Sequence, residues 1–406
     1  MSSARAGNLL VLQGGGPTPV FNASLYGVLD EARKNRQVRR IFGARMGIAG
    51  LVRDDLVDLS FLTRDDLRKL KISPGATLGS TREAMSEKEV EQVLERLRKH
   101  EIHSLIIIGG NGSMRAASLL AQAATSLGED LRLIGVPKTI DNDILGTDRC
   151  PGYGSAARYV AQSVRDLGMD VRTLPQPVSI YETMGRNVGW LAAASVLANI
   201  DESHAPHLVY LPERPFEADR FLGDLDRVYK RLGWAVVVVP EGLVDRTGQP
   251  IFETSRDAQR DAFGRPVPGG VASHLADLVA EKLKIRCRWE KPGLCGRASA
   301  LHVSTVDRDD AVRVGRAGVQ AAMSGRHGFM IALPPFQTHS ENCNLVPFSQ
   351  VTVGDRHMPE AWLSDGELGV TSGFIEYIRP IVGGLVEYAV PLKDERLGKT
   401  LQGQSV

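Results

Sequence analysis

Leu105-Ile-Ile-Ile-Gly-Gly-Asn-Gly-Ser113 runs from four apolar residues straight into a glycine turn, and a helix-like stretch follows. A short run polar on neither face suits a parallel strand buried between helix layers. Glycines at its end allow a tight turn and leave bare backbone N–H groups at the start of the next helix, where the helix dipole favours an anion. Leu9-Leu-Val-Leu-Gln13 repeats the form, leading into Gly14-Gly-Gly-Pro-Thr-Pro19 and a second helix-like stretch. Thr18 is placed to cap that helix and Pro19 suits its first turn. Two such loops at strand ends imply one shared cleft.

Working outward, similar runs occur at Leu131 to Val136, Val178 to Tyr181, Leu208 to Leu211, Ala235 to Val239 and Phe329 to Leu333. Helix-like stretches fill the intervals. Ser86 and Glu89 stand at capping-box spacing, and Val90, Val93, Leu94 and Leu97 then share one face. This alternation predicts an α/β protein of two doubly wound, Rossmann-like lobes with a cleft between them, because 406 residues exceed the usual length of one domain. The loops from Pro240 to Pro268 and Pro334 to Gly354 are expected to be surface excursions, and the tail from Leu392 to be partly mobile.

Forty-nine Lys and Arg against 48 Asp and Glu leave a charge of +1, so no global field draws the chain to nucleic acid or to a membrane surface. Any anion site must be local. Met1 to Gly7 lacks the apolar stretch of a signal peptide and nothing later approaches a membrane span, so a cytoplasmic protein is expected. Cys150, Cys287, Cys295 and Cys343 show no metal-binding spacing and are expected to be reduced structural thiols.

The run from Leu131 delivers Pro137-Lys-Thr-Ile-Asp-Asn-Asp143. In an extended segment Asp141 and Asp143 project to the same side, where one can accept a hydroxyl proton and the other hold magnesium. Lys138 and Thr139 add a cation and a hydroxyl for phosphate. An Asp-Asn-Asp run alone also suits a solvated turn, Asn111 also suits a turn as well as a metal, and Ser113 a cap as well as a phosphate. Arg82 in Gly79-Ser-Thr-Arg82 and Arg186 in Met184-Gly-Arg186 can each clamp a phosphate in two-point fashion.

Gly-Gly-Gly-Pro-Thr-Pro, Gly-Ser-Thr-Arg, Gly-Gly-Asn-Gly-Ser, Pro-Lys-Thr-Ile-Asp-Asn-Asp, Met-Gly-Arg and Pro240-Glu-Gly242 together resemble the phosphofructokinase family, in the family's order and over nearly the whole chain. The resemblance implies that fold and magnesium-dependent transfer of a phosphoryl group to the 1-hydroxyl of fructose 6-phosphate, in glycolysis. It implies Asp141 as the base, assisted by Thr139 and Asp143, with Arg82 and Lys138 on the transferred group. The donor would lie on Gly15, Gly16, Arg82, Gly110, Asn111, Gly112, Ser113 and Lys138, and magnesium on Asn111, Asp141 and Asp143. The sugar phosphate would lie on Thr139, Asp141, Met184, Gly185, Arg186, Glu241, Arg288 and Arg297. Arg288 and Arg297 look like the family's arginines that reach across from a neighbouring subunit, which implies a homodimer or homotetramer. On this basis the donor lobe is expected over 1–152 with 297–345, and the sugar lobe over 153–296 with 346–406.

Three positions depart from the family pattern. Asn111 stands where many members have a magnesium-binding Asp, as in some longer pyrophosphate-using members. Pro177 and Leu294 stand where bacterial ATP enzymes have an arginine and a histidine on the sugar. The donor signals conflict as well. Gly112 resembles the ATP enzymes, since pyrophosphate enzymes typically have Asp there, whereas Lys138 resembles the pyrophosphate enzymes. Steric and charge exclusion is harder to overcome than an added cation, so the sequence favours ATP, with pyrophosphate as the alternative. NAD and lipid kinases share a similar glycine loop but would lack the Thr139 to Asp143 and Met184 to Arg186 segments. A non-catalytic regulatory subunit that binds sugar phosphate would not need both carboxylates.

Overall fold

The computed structural model describes residues 7–81, 85–173, 178–252 and 269–388. Arg82, Pro177, most of the excursion expected up to Pro268 and the tail from Leu392 lie outside them. The strands are β1 (Gly7–Gln13), β2 (Val38–Ala44), β3 (Leu56–Asp58), β4 (Ile102–Gly109), β5 (Arg132–Pro137), β6 (Val178–Thr183), β7 (Leu208–Val209), β8 (Ala235–Pro240), β9 (Cys287–Glu290), β10 (Phe329–Ala332) and β11 (Asn344–Pro347). The α-helices are α1 (Phe21–Ala32), α2 (Gly47–Val52), α3 (Arg64–Ile72), α4 (Glu87–Lys99), α5 (Asn111–Ser126), α6 (Tyr153–Val171), α7 (Trp190–Ala194), α8 (Ala218–Leu232), α9 (Val271–Leu283), α10 (Leu294–Ala298), α11 (Thr305–Met323), α12 (Phe348–Val351) and α13 (Ser372–Val382).

Two sheets form, as the alternation predicts. The first has seven strands in the order β11-β10-β5-β4-β1-β2-β3, and the second has four in the order β7-β8-β6-β9. The second sheet is parallel throughout, and in the first only β3 and β11 run antiparallel, each at an edge. Alternate residues of each central strand enter opposite cores. Leu10, Leu12, Leu105, Ile107 and Leu133 meet α4 and α5 on one face, while Leu9, Val11, Ile106, Ile108 and Val136 meet α1 and α11 on the other. The second sheet divides in the same way between a core shared with α6 and α13 and one shared with α8 and α9.

In the first sheet the chain runs from β1 to β2 and β3 on one side and from β4 to β5 on the other. The reversal falls between β1 and β4, so the two glycine loops leave neighbouring strand ends at the topological switch point, where such sheets bind ligands. The Gly14 N–H donates to the Ile108 carbonyl at 2.9 Å, which joins the two loops.

Four local expectations are corrected. The segment after Pro334 is not merely an excursion, because it contains β11 and α12, and Phe348 and Val351 are buried in the first sheet's core. That sheet therefore retains the chain beyond the break expected after 345. Helix α1 begins at Phe21 behind Val20 without a side-chain cap, so Thr18 does not cap it, and the buried Thr18 hydroxyl has no hydrogen-bond partner among the described residues. Asn111 is the first residue of α5 rather than a left-handed turn, and Gly110, not Ser113, takes the cap position. Finally, Asn142 has a φ of 57°, so the Asp141 to Asp143 run is a left-handed turn and not extended. The capping box at Ser86 and Glu89 forms as expected, and all four cysteines are unpaired.

Candidate active site

Loops from both sheets enclose a cavity of about 340 Å³. From the first sheet it receives Gly14 to Gly16 after β1, the first turn of α5 after β4, and Lys138 to Asp143 after β5. The fit between the first two is close. A Cβ on Gly109 would lie 2.2 Å from the Ser113 hydroxyl oxygen and 3.1 Å from the Gly14 carbonyl oxygen, so only glycine allows these backbones to meet. Gly15 takes a positive φ of 80° and donates its N–H to the Thr81 carbonyl. Lys138 is buried, with Nζ 2.8 Å from the Gly16 carbonyl oxygen and 4.5 Å from the centre of the Phe21 ring. A fixed cation therefore stands beside the glycine turn, opposite the N-terminus of a 16-residue helix.

The turn at Asn142 aims its two neighbours differently. The Asn142 amide donates to the Tyr377 hydroxyl at 3.1 Å and accepts from the Cys150 N–H at 2.9 Å, which anchors the turn in the core. Thr139 pairs with Gly152, and its hydroxyl accepts from the Asp141 N–H. Asp141 then faces the second sheet. Burial, and after it the negative charges of Asp143 and Glu241, push its carboxyl up to about 7, against the pull of Arg186 and Lys138. Asp143 faces Asn111 and Asp355, and burial followed by the Asp355 charge raises it as well.

From the second sheet come Met184, Gly185 and Arg186 after β6 and Glu241 after β8. The two strands end in register, Thr183 beside Pro240, and the Glu241 N–H donates to the Thr183 carbonyl at 2.9 Å. Arg186 holds a positive φ of 50°, and a Cβ on Gly242 would lie 1.7 Å from its carbonyl oxygen, so these two loops also require a glycine between them. Burial raises Glu241 to about 7 despite the nearby Lys291 and Arg186 cations.

The structure thus brings together Gly15, Gly16, Gly110, Asn111, Gly112, Ser113, Lys138, Thr139, Asp141, Asp143, Met184, Gly185, Arg186, Glu241 and Arg297 around one cavity. Arg82 lies outside the described residues. Arg297 lines the cleft of its own chain from α10, so it needs no second subunit to reach it. Arg288 is not at this cavity. It is exposed on the edge strand β9 beside Ser179, near the start of β6, whereas the cleft is at that strand's other end. Asp355, just past α12, is at the site although the sequence reading did not single it out. Gly354-Asp-Arg-His357 has neither a glycine loop nor an apolar run before it, so nothing local marks that aspartate.

Among the described residues no helix is long and apolar enough to cross a membrane. The phosphofructokinase family profile matches residues 8–322. The chain is 37% identical over 401 residues to the pyrophosphate–fructose 6-phosphate 1-phosphotransferase of Rhodospirillum rubrum, covering 97% of this chain and 99% of that protein. It is 36% identical to the sulfofructose kinase of Alkalicoccus urumqiensis, over 87% of this chain and 91% of the relative. The crystal structure of a pyrophosphate-dependent phosphofructokinase from Nitrosospira multiformis superimposes with a TM-score of 0.85 at 32% identity, covering 96% of this chain and 95% of that one. With two largely parallel sheets meeting at one cleft lined by glycine turns, and a family profile spanning most of its length, the chain is a phosphotransferase and belongs to the phosphofructokinase family.

Proposed function

We propose that this enzyme transfers a phosphoryl group from pyrophosphate to the 1-hydroxyl of fructose 6-phosphate, giving fructose 1,6-bisphosphate and phosphate. One observation carries the reaction type. Asp141 stands between the phosphate cradle and the second sheet's loops with its carboxyl near neutrality, as a base for a sugar hydroxyl requires. The donor's phosphates bind the glycine turn, the α5 N-terminus and Lys138, and Thr139 orients Asp141. Met184, Gly185, Arg186, Glu241 and Arg297 hold the sugar phosphate. The first sheet and its helices then form the donor lobe, and the second sheet the sugar lobe. A cytoplasmic, glycolytic setting goes with this reading.

Magnesium fits the site on chemical grounds. Asp143 Oδ1 is buried without a hydrogen-bond partner among the described residues, and carboxylate oxygens are the donors this hard cation prefers. Asp143 would hold it, with Asn111 and Asp141 beside it, and when bound it would neutralise phosphate charge. Phosphoryl transfer needs little else from a protein than position and charge.

The sequence favoured ATP because Gly112 leaves space beside the cradle. The relatives weigh the other way, and so does Lys138, whose ammonium is fixed inside the turn where a compact diphosphate would sit. Gly112 keeps ATP as the second reading. The test compares magnesium-dependent fructose 1,6-bisphosphate formation from pyrophosphate and from ATP, with sulfofructose as the competing sugar. At least about tenfold higher kcat/KM with pyrophosphate is expected. A preference for ATP would restore the Gly112 reading, and Gly112→Asp should suppress residual ATP use while pyrophosphate use persists.

A further inference from the structure

Asn111, the first residue of α5, is a neutral side chain set between acidic ones in the cleft. Its amide nitrogen donates to Asp143 Oδ2 at 2.9 Å and to Asp355 Oδ1 at 3.1 Å, so one neutral group bridges two carboxylates. The other Asp143 oxygen is buried and has no hydrogen-bond partner among the described residues. Both aspartates and Asn111 line the cleft, beside the glycine turns.

The position of Asp355 is rigidly held. The N–H of the next residue, Arg356, donates to the Asp143 carbonyl at 2.8 Å, and its guanidinium donates to the Asn142 carbonyl at 3.3 Å. That guanidinium lies 4.2 Å from the Trp190 ring centre, and the Trp190 indole N–H donates to the Arg356 carbonyl at 2.9 Å. The segment after α12 is thus fastened against the Asp141 to Asp143 turn, with Asp355 presented to Asp143. Two carboxylates within reach of one amide repel each other, and a divalent cation converts that repulsion into attraction.

We propose that Asp143 and Asp355 together hold the divalent cation of this enzyme. Asn111 serves as the hydrogen-bonding spacer between the two ligands. The inference rests on the phosphotransferase reading above, but its test does not depend on turnover.

Mn²⁺ is titrated into the full chain with inorganic phosphate present, and free Mn²⁺ is read by electron paramagnetic resonance. Asp355→Asn is expected to weaken Mn²⁺ binding at least about tenfold. The double variant Asn111→Asp/Asp355→Asn moves the second carboxylate to the first turn of α5, across the same hydrogen bond, and is expected to recover affinity to within about threefold of the parent chain. Unchanged Mn²⁺ affinity in Asp355→Asn would overturn the proposal. So would a loss that the double variant does not recover, since Asp355 would then only tie two segments together. If the single variant does not fold, the double variant decides, because a folded double variant that binds no Mn²⁺ also overturns it. A chain that binds Mn²⁺ through Asp355 yet transfers nothing to fructose 6-phosphate would instead overturn the proposed function alone.

Discussion

Asp141 is a buried carboxyl set among two acidic and two basic neighbours, with burial the strongest influence on it, and both its chemistry and its cost follow from that. As the proposed base it must be ionised to take a proton. Asp141→Asn should therefore lower kcat about 100-fold or more, with the KM for fructose 6-phosphate nearly unchanged, as steady-state kinetics on the two proteins would show. Because burial lifts the carboxyl to about 7, kcat/KM of the parent enzyme should fall as pH drops through that value. Stability has the opposite sign. The folded state holds this proton more tightly than the unfolded chain, whose value is 3.8, so stability present at low pH is lost as pH rises toward 7. Asp141→Asn removes that loss and should raise the thermal midpoint more at pH 8 than at pH 4. An equal change at both pH values would show that the carboxyl is not perturbed in the folded protein. The place of Asp141 at the cleft was legible from its position after a buried strand and near two glycine loops. Its orientation was not, because the left-handed turn at Asn142 is anchored by Cys150 and by Tyr377, the second of which lies 235 positions away in the chain.

Helices α1 and α11 show how an element far from the chemistry supports it. They cross so closely that a Cβ on Gly27 would lie 2.3 Å from the Val312 carbonyl oxygen, and one on Gly315 would lie 2.2 Å from that of Ser24. Helix α11 also carries Asp307, which accepts the N–H groups of Gly152 and Ser155 at 2.8 and 2.9 Å and so fastens the start of α6. Gly315→Ala must push backbone against backbone, at a cost of about 1–3 kcal/mol, read as a lower urea midpoint with the m-value unchanged. A midpoint equal to that of the parent would mean that the crossing can open without strain. Among the elements, buried central strands were legible because both faces need apolar residues. Strands with exposed or interrupted faces were not. Strand β2, although it lies between β1 and β3, exposes Arg39 and Arg40, the edge strand β9 is largely solvated, and the edge strand β11 tolerates an Asn and a Pro because an edge leaves part of its ladder unpaired.

At the scale of the molecule, two sheets direct their strand ends at one cleft, while Arg288 remains on the outer edge of the second sheet. If Arg288 serves the site of a neighbouring copy, as the family resemblance implies, each active site is shared between subunits. Arg288→Ala should then raise the KM for the sugar phosphate. At a low concentration of that substrate, mixing Arg288→Ala with Asp141→Asn subunits should restore activity that neither has alone, because the hybrid contains one site lacking both changes. No restoration after subunit exchange would mean that each chain builds its site unaided. The sequence by itself determined the α/β class, the doubly wound pattern and most of the cleft, because strand burial, glycine turns and helix starts are local, and their residues adjoin in the chain. Only the tertiary structure decided that Arg297 and not Arg288 lines this cleft, that β11 and α12 complete the first sheet, and that Asp355 meets Asn111 across 244 positions. Contacts of that separation depend on how the helices stack on the sheets, and no periodicity or turn residue in either segment carries that information.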